Sequence, residues 1–235
     1  MPPVNGRPAH ADRAAAFRAL RSFSNAGASV QAFLLARLFV APLGPLDAEL
    51  RALRGRVLSL GCGHGIVDRY LAEVNPSVTV YGVDLDAKRI AVANAAQDRS
   101  PRVIARVADV TRLDDGTCYD AALVVDVLHH VPYEAHAGIA AALHRQLRVG
   151  GVCLVKEMAR SPRRQYLWNR LHDRIVAGPE PLACRDPDEM AAVFEAAGFE
   201  VNEVRRLERL GLYPQYLVAA RRPGTEQEGA PCPEP

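Results

Sequence analysis

From residue 56 onward the chain alternates between two patterns. Short apolar, β-branched runs occur at Arg56–Leu60, Val78–Val83, Val103–Val107, Ala121–Val125, Val152–Val155, Val201–Val204 and Tyr216–Ala219. Between them, apolar positions recur at helical spacing over Val67–Val74, Ala87–Gln97, Tyr133–Leu147 and Pro187–Ala197. The last helix is well punctuated, with Asp186 as N-cap, Pro187 at the first helical position and Gly198 just past the end. Short runs alternating with helices predict an α/β fold whose seven-stranded, mostly parallel sheet is doubly wound, with helices on both faces.

Two stretches depart from this alternation. Residues 12–55 have helical character before the first strand, with Phe17, Leu20, Phe23, Phe33, Leu34 and Leu38 at apolar positions. They predict a helical lid packed on the core, from which Phe17, Phe33 or Arg37 would reach the ligand edge. Residues 159–185 form an insertion after the fifth strand. The Pro-, Gly- and Glu-rich ends, 1–11 and 223–235, read as loose tails. Residues 56–222 are then one α/β domain.

Size agrees with one such domain: 235 residues, 49% hydrophobic, supply one core. Charge is nearly balanced, 29 Lys and Arg against 27 Asp and Glu, which disfavours a nucleic-acid partner. Five scattered cysteines show no metal-ligand spacing and read as reduced thiols. The opening segment lacks the apolar core of a secretion signal, and the most apolar early stretch, residues 30–46, is interrupted by Arg37 and Pro42. A cytoplasmic protein without a membrane span is expected.

The strongest chemical signal is Val57-Leu-Ser-Leu-Gly-Cys-Gly-His-Gly65. Here an apolar strand ends in glycines at alternate positions, and a helix follows. Such a turn admits a ligand against bare backbone, and the helix start offers unpaired N–H groups to an anion. Asp84 stands at the end of the second strand, 19 residues beyond Gly65, where a carboxylate can accept from two ribose hydroxyls. Asp109 follows the third strand and Asp126 the fourth. Acids at three successive strand ends line the edge where open α/β sheets bind ligands. A nicotinamide cofactor fits less well, because the glycines run GxGxG and residue 66 is Ile.

In these motifs, from Arg56 to Glu157, the chain resembles the class I S-adenosylmethionine-dependent methyltransferases, which have a Rossmann-like fold. The resemblance implies that Gly61, Cys62, Gly63 and Gly65 line the methionine part of S-adenosylmethionine. It implies further that Asp84 holds the ribose, Leu85 packs on adenine, Asp109 reads the adenine amino group with Val110 beside it, and Asp126 lies near the methionine ammonium. The family commonly has an acidic residue two before the first glycine; here Ser59 stands there.

Methyl transfer from a sulfonium needs alignment, a dry site and, for an acidic acceptor, a base. His129 and His130 follow the fourth strand at the cofactor edge, and Glu157 emerges from the fifth; these are the candidate catalytic residues. Lys156, Arg163, Arg164, Trp168 and Arg170 are candidates for the acceptor, the arginines forming either a clamp for an anionic group or a solvated helix face. The expected function is methyl transfer to a small molecule, with a lipid-, isoprenoid- or polyketide-type metabolite bearing an anionic group as the expected acceptor in secondary metabolism. A methyltransferase of RNA or protein and a non-catalytic cofactor-binding subunit stand as alternatives.

Overall fold

The computed structural model describes residues 12–40, 43–96, 101–113, 116–161, 182–207 and 214–224. Helices α1 (Arg13–Arg21), α2 (Ala28–Val40) and α3 (Asp47–Ala52) precede the sheet. Then come β1 (Gly55–Leu60), α4 (Ile66–Val74), β2 (Val78–Asp84), α5 (Ala87–Ala95), β3 (Val103–Val107) and β4 (Tyr119–Val125). The chain continues with α6 (Tyr133–Gln146), β5 (Leu147–Met158), α7 (Pro187–Ala196), β6 (Glu200–Leu207) and β7 (Gln215–Arg221). The seven strands lie in the order β3-β2-β1-β4-β5-β7-β6. The strands from β1 to β5 pair in parallel, and β7 inserts antiparallel between β5 and β6. This is the doubly wound, Rossmann-like sheet that the alternating pattern predicts.

Side chains alternate between the two faces because the strand period is two. Val57, Leu123, Leu154 and Leu217 join α1–α4 in one buried cluster. Their neighbours Leu58, Val124, Val155 and Val218 join α6 and α7 on the opposite face. Ala15, Phe23, Leu34 and Leu50 of the N-terminal helices belong to the first cluster, so those helices share the core of the sheet. Polar ties reinforce the packing. The Tyr70 hydroxyl donates to Asp47 at 2.6 Å and accepts the Asp12 N–H at 3.0 Å, linking α4 to α3 and to the start of α1.

Strand β5 runs from 147 to 158, well beyond the apolar run at 152–155. Its antiparallel ladder with β7 continues through Lys156, Glu157 and Met158. Lys156 and Glu157 are buried there, and their charges are met by partners from the β4 edge, which apolar periodicity cannot reveal. Helix α7 begins as expected: the Glu189 carboxylate accepts the Asp186 N–H, and Gly198 past the helix end has φ of 96°. Asp186 also accepts the N–H groups of Arg160 and Ser161, fastening the end of β5 to α7. Cys62, Cys153 and Cys184 are free thiols, whereas Cys118 is disulfide-bonded, which corrects the expectation of reduced thiols throughout. Scattered spacing along the chain does not show which thiols the fold brings together. No described helix is long and apolar enough to cross a membrane.

Asn75 closes α4 and is buried. Its side-chain amide donates to the carbonyls of Leu50 and Leu53, each at 2.9 Å, and its oxygen accepts the Ser77 N–H at 3.0 Å. Asn75→Ala would leave these groups unpaired in the interior. A loss of about 2–4 kcal/mol is expected, measured by urea denaturation.

Candidate functional site

Strand order reverses between β1 and β4. Chain leaving β1 enters α4 on one face, and chain leaving β4 leads to α6 on the other. The two exits diverge and leave a crevice at the strand carboxyl ends, the place where open α/β sheets bind ligands.

On the β1 side the crevice wall is the glycine loop. Gly61, Gly63 and Gly65 have φ of 61°, 56° and 78°, a region costly for side-chain-bearing residues. A Cβ on Gly61 would fall 2.6 Å from the Val127 side chain, so glycine there lets the β4 exit close on the loop. A Cβ on Gly63 would meet nothing within 4 Å, so that backbone faces open space. Asp84 Oδ2 accepts the Gly63 N–H at 2.8 Å and Oδ1 accepts the Asp86 N–H at 2.8 Å, which fixes the loop to the end of β2. Next to it Leu85 is 74% exposed, an apolar side chain left uncovered on the rim. Asp109 accepts from the Thr111 N–H and hydroxyl, which hold its carboxyl below the usual range, and Val110 is buried in the α6-side core.

On the β4 side Asp126 adopts φ of 55°, alone among the described non-glycine residues in having positive φ. Lys156 Nζ donates to both of its oxygens, at 2.8 and 2.7 Å, and Arg37 Nη1 donates to Oδ2 at 3.0 Å. Arg37 Nη2 also donates to the Val125 carbonyl at 3.2 Å. Burial alone would raise the Asp126 carboxyl, but Lys156 and Arg37 outweigh it and hold it well below the ordinary value. The same burial draws the Lys156 ammonium downward. Lys156 is fully buried, with its ammonium held by both oxygens of Asp126. From α2, Arg37 reaches Asp126, and the Phe33 ring lies 5.4 Å from that of His64 in the glycine loop.

Glu157 binds the next turn. Its Oε1 accepts the N–H groups of Val127 and Leu128, at 2.8 and 2.6 Å, and its Oε2 lies 2.6 Å from His129 Nδ1. The pair is buried, with side-chain exposures of 4% and 1%. His130 is exposed, its ring 4.1 Å from that of His129. The structure thus unites His129 with Glu157 across 28 residues of sequence and sets His130 on the outer side. Arg163, Arg164, Trp168 and Arg170 lie outside the described residues.

Two participants escaped the sequence reading. Arg185 donates to His136 Nδ1 at 3.0 Å and stacks over Tyr133, anchoring the end of the insertion on α6. Asp68, which reads as an ordinary helix-surface acid, is fully buried and accepts from Ser59 at 2.7 Å. Its only sequence signal is the serine at position 59.

Comparison with known proteins agrees with this geometry. Residues 57–151 match the family model described as a methyltransferase domain. Among curated proteins, the ubiquinone biosynthesis O-methyltransferase of Pseudomonas aeruginosa is 28% identical over 181 residues, spanning 73% of this chain and 76% of its own. Among solved structures, a SAM-dependent methyltransferase from Methanosarcina mazei superposes with TM-score 0.60 at 20% identity, over 76% of this chain and 97% of that one. A protein studied for conversion of a disulfide bond into a thioacetal group during echinomycin biosynthesis gives 0.62 at 25% identity, over 76% and 82%. The fold is a doubly wound, Rossmann-like α/β sheet with a crevice at its strand carboxyl ends. Together the family-model match, the curated methyltransferase relatives and the shared fold support a class I S-adenosylmethionine-dependent methyltransferase.

Removing Lys156 would leave Asp126 buried with Arg37 as its remaining charged partner, so Lys156→Met should cost about 3–5 kcal/mol at pH 7. Because the Asp126 carboxyl is held below its ordinary value, the cluster's contribution is complete above about pH 4 and is lost as pH falls further. Urea denaturation at pH 7 and at pH 3 should show the difference between wild type and variant shrinking at the lower pH.

Proposed function

We propose that this enzyme methylates an oxygen nucleophile on a small, largely apolar metabolite of lipid, isoprenoid or polyketide type. The buried His129–Glu157 pair at the β4 exit is the observation that carries this reading. The curated relatives named as O-methyltransferases support it.

The residues present fit the cofactor. Gly63 offers bare backbone to open space, Asp84 stands on the rim with its carboxylate, and Leu85 presents an uncovered apolar surface. In this reading Gly61, Cys62, Gly63 and Gly65 line the methionine part, Asp84 accepts from the ribose hydroxyls, Leu85 and Val110 flank adenine, and Asp109 faces its amino group. Asp126 is held by Lys156 and Arg37, so its part is to fix the turn beside the methionine end. When bound, S-adenosylmethionine supplies an electrophilic methyl on a sulfonium that leaves as a neutral thioether.

Glu157 fixes the His129 ring by accepting at Nδ1, so the proton is taken from the acceptor at Nε2. The imidazolium so formed is stabilised by the carboxylate 2.6 Å away. In this reading α2 helps to exclude water from the crevice and gives an apolar acceptor body a surface to lie against. Arg163, Arg164 and Arg170 are the candidates for an anionic group on the acceptor, and Trp168 is a further acceptor candidate.

Incubating the enzyme with trideuteromethyl-labelled S-adenosylmethionine and a metabolite extract should label a small apolar ether, identified by mass spectrometry. Label appearing in RNA or protein instead, or in neither, would overturn the reading. With the unmethylated precursor of the labelled ether as substrate, His129→Asn and Glu157→Gln should each lower kcat by about 10²–10⁴-fold while cofactor affinity measured by calorimetry stays nearly constant. Asp84→Ala should show the reverse emphasis, weakening cofactor binding first.

A further inference from the structure

An acid in the first turn of a helix ordinarily faces water and complements the exposed N–H groups. Asp68, in the first turn of α4, points inward and is fully buried. Its Oδ1 accepts from Ser59 Oγ at 2.7 Å, and its Oδ2 has no hydrogen-bond partner among the described residues. Oδ2 converges with Cys62 Sγ on the bare Cα of Gly82, where an added Cβ would fall 2.7 and 2.8 Å from those two atoms. The carboxyl group is therefore enclosed by β1, β2 and the glycine loop.

The groups facing it are Ser59 of β1, Cys62 of the loop, Arg69 of α4 and Asp84 of β2. Burial pushes the Asp68 acid up to about 6; Asp84 adds to this, while Ser59 and Arg69 oppose it. Burial and the two nearby carboxylates push the Cys62 thiol far up, so it stays neutral. Near neutral pH the chain thus carries a buried negative charge with one orphaned oxygen. That arrangement costs stability in the ligand-free protein. A cation arriving at the loop offsets the cost, and a neutral ligand does not.

We propose that Asp68 is a positioning residue for the cationic cofactor, its charge beneath the glycine loop favouring the sulfonium over the neutral thioether product. The proposal rests on the cofactor reading above. S-adenosylmethionine carries one more positive charge than S-adenosylhomocysteine, so the same carboxylate holds the substrate form and eases release of the product form.

Calorimetric titration of both ligands from pH 5 to 8 tests this on wild type, Asp68→Asn and Ser59→Ala. Wild-type affinity for S-adenosylmethionine should rise as pH passes upward through about 6, as Asp68 ionises, and then level. Asp68→Asn should bind it about tenfold more weakly at pH 7.5, with that rise in its pH profile lost, and should lose distinctly less affinity for S-adenosylhomocysteine. The same variant should melt at a higher temperature than wild type at pH 7.5 when ligand-free, since a buried charge is gone; a purely structural residue would lower it. Ser59→Ala keeps the carboxylate but removes a bond to its charged form, so the midpoint of the profile should move upward. Equal weakening for both ligands, an unchanged pH profile, or a lower ligand-free melting temperature in Asp68→Asn would overturn the proposal. Failure of wild type to bind either ligand would remove the cofactor reading and this proposal with it.

Discussion

The crevice between β1 and β4 is the constraint on which the site depends. Parallel strands that send their helices to opposite faces must part at their carboxyl ends, and backbone there loses the cover that a continuing helix would give. The glycine loop and the Asp126 turn are two solutions to the same problem. Each takes a sharp left-handed bend directly after its strand, and each bend is held by a carboxylate. Asp84 accepts the Gly63 N–H from across the sheet, and Glu157 accepts the N–H groups of Val127 and Leu128. Gly61 and Val127 then meet closely enough that any side chain on Gly61 would collide. The two walls are fixed to each other as well as to the sheet.

Charge in the interior follows from this geometry. Chain ends of four strands converge on a small region, and the polar groups that must turn the chain are carried inside with them. Asp126 lies with Lys156 and Arg37, and His129 lies with Glu157. Removing a buried charge from water costs several kcal/mol, so such groups persist where their partners are placed within hydrogen-bond reach. Asp68 differs, because one of its oxygens has no partner among the described residues. Among the described residues, both oxygens of Asp126 and of Glu157 are thus bonded, whereas the carboxyl beneath the glycine loop keeps one oxygen without a partner.

The N-terminal helices are integral to this arrangement. Ala15, Phe23, Leu34 and Leu50 belong to the same buried cluster as Val57 and Leu123, and Tyr70 ties α4 to both ends of the segment. Arg37 reaches from α2 to Asp126 and to the Val125 carbonyl. Cover for the crevice is thus built on the sheet's own core, and displacing all of it would expose that core.

The alternation of β-branched runs with helical spacing was enough to determine the layered fold, the helix start at Asp186 and the three glycines, because these follow from local periodicity and backbone sterics. Spacing along the chain also placed Asp84, Asp109 and Asp126 at strand ends, since parallel topology puts every strand exit on one edge. What those acids touch was decided by tertiary structure. Asp126 is bound by residues 89 positions before it and 30 after it, and His129 meets Glu157 across 28. Ser59 and Asp68, nine residues apart, face each other because a strand and the helix after it fold back together. Strand β5 extends through Lys156 and Glu157 for the same reason: sequence marks a charged residue as a place to leave the core, and a partner supplied from elsewhere in the chain lets it stay.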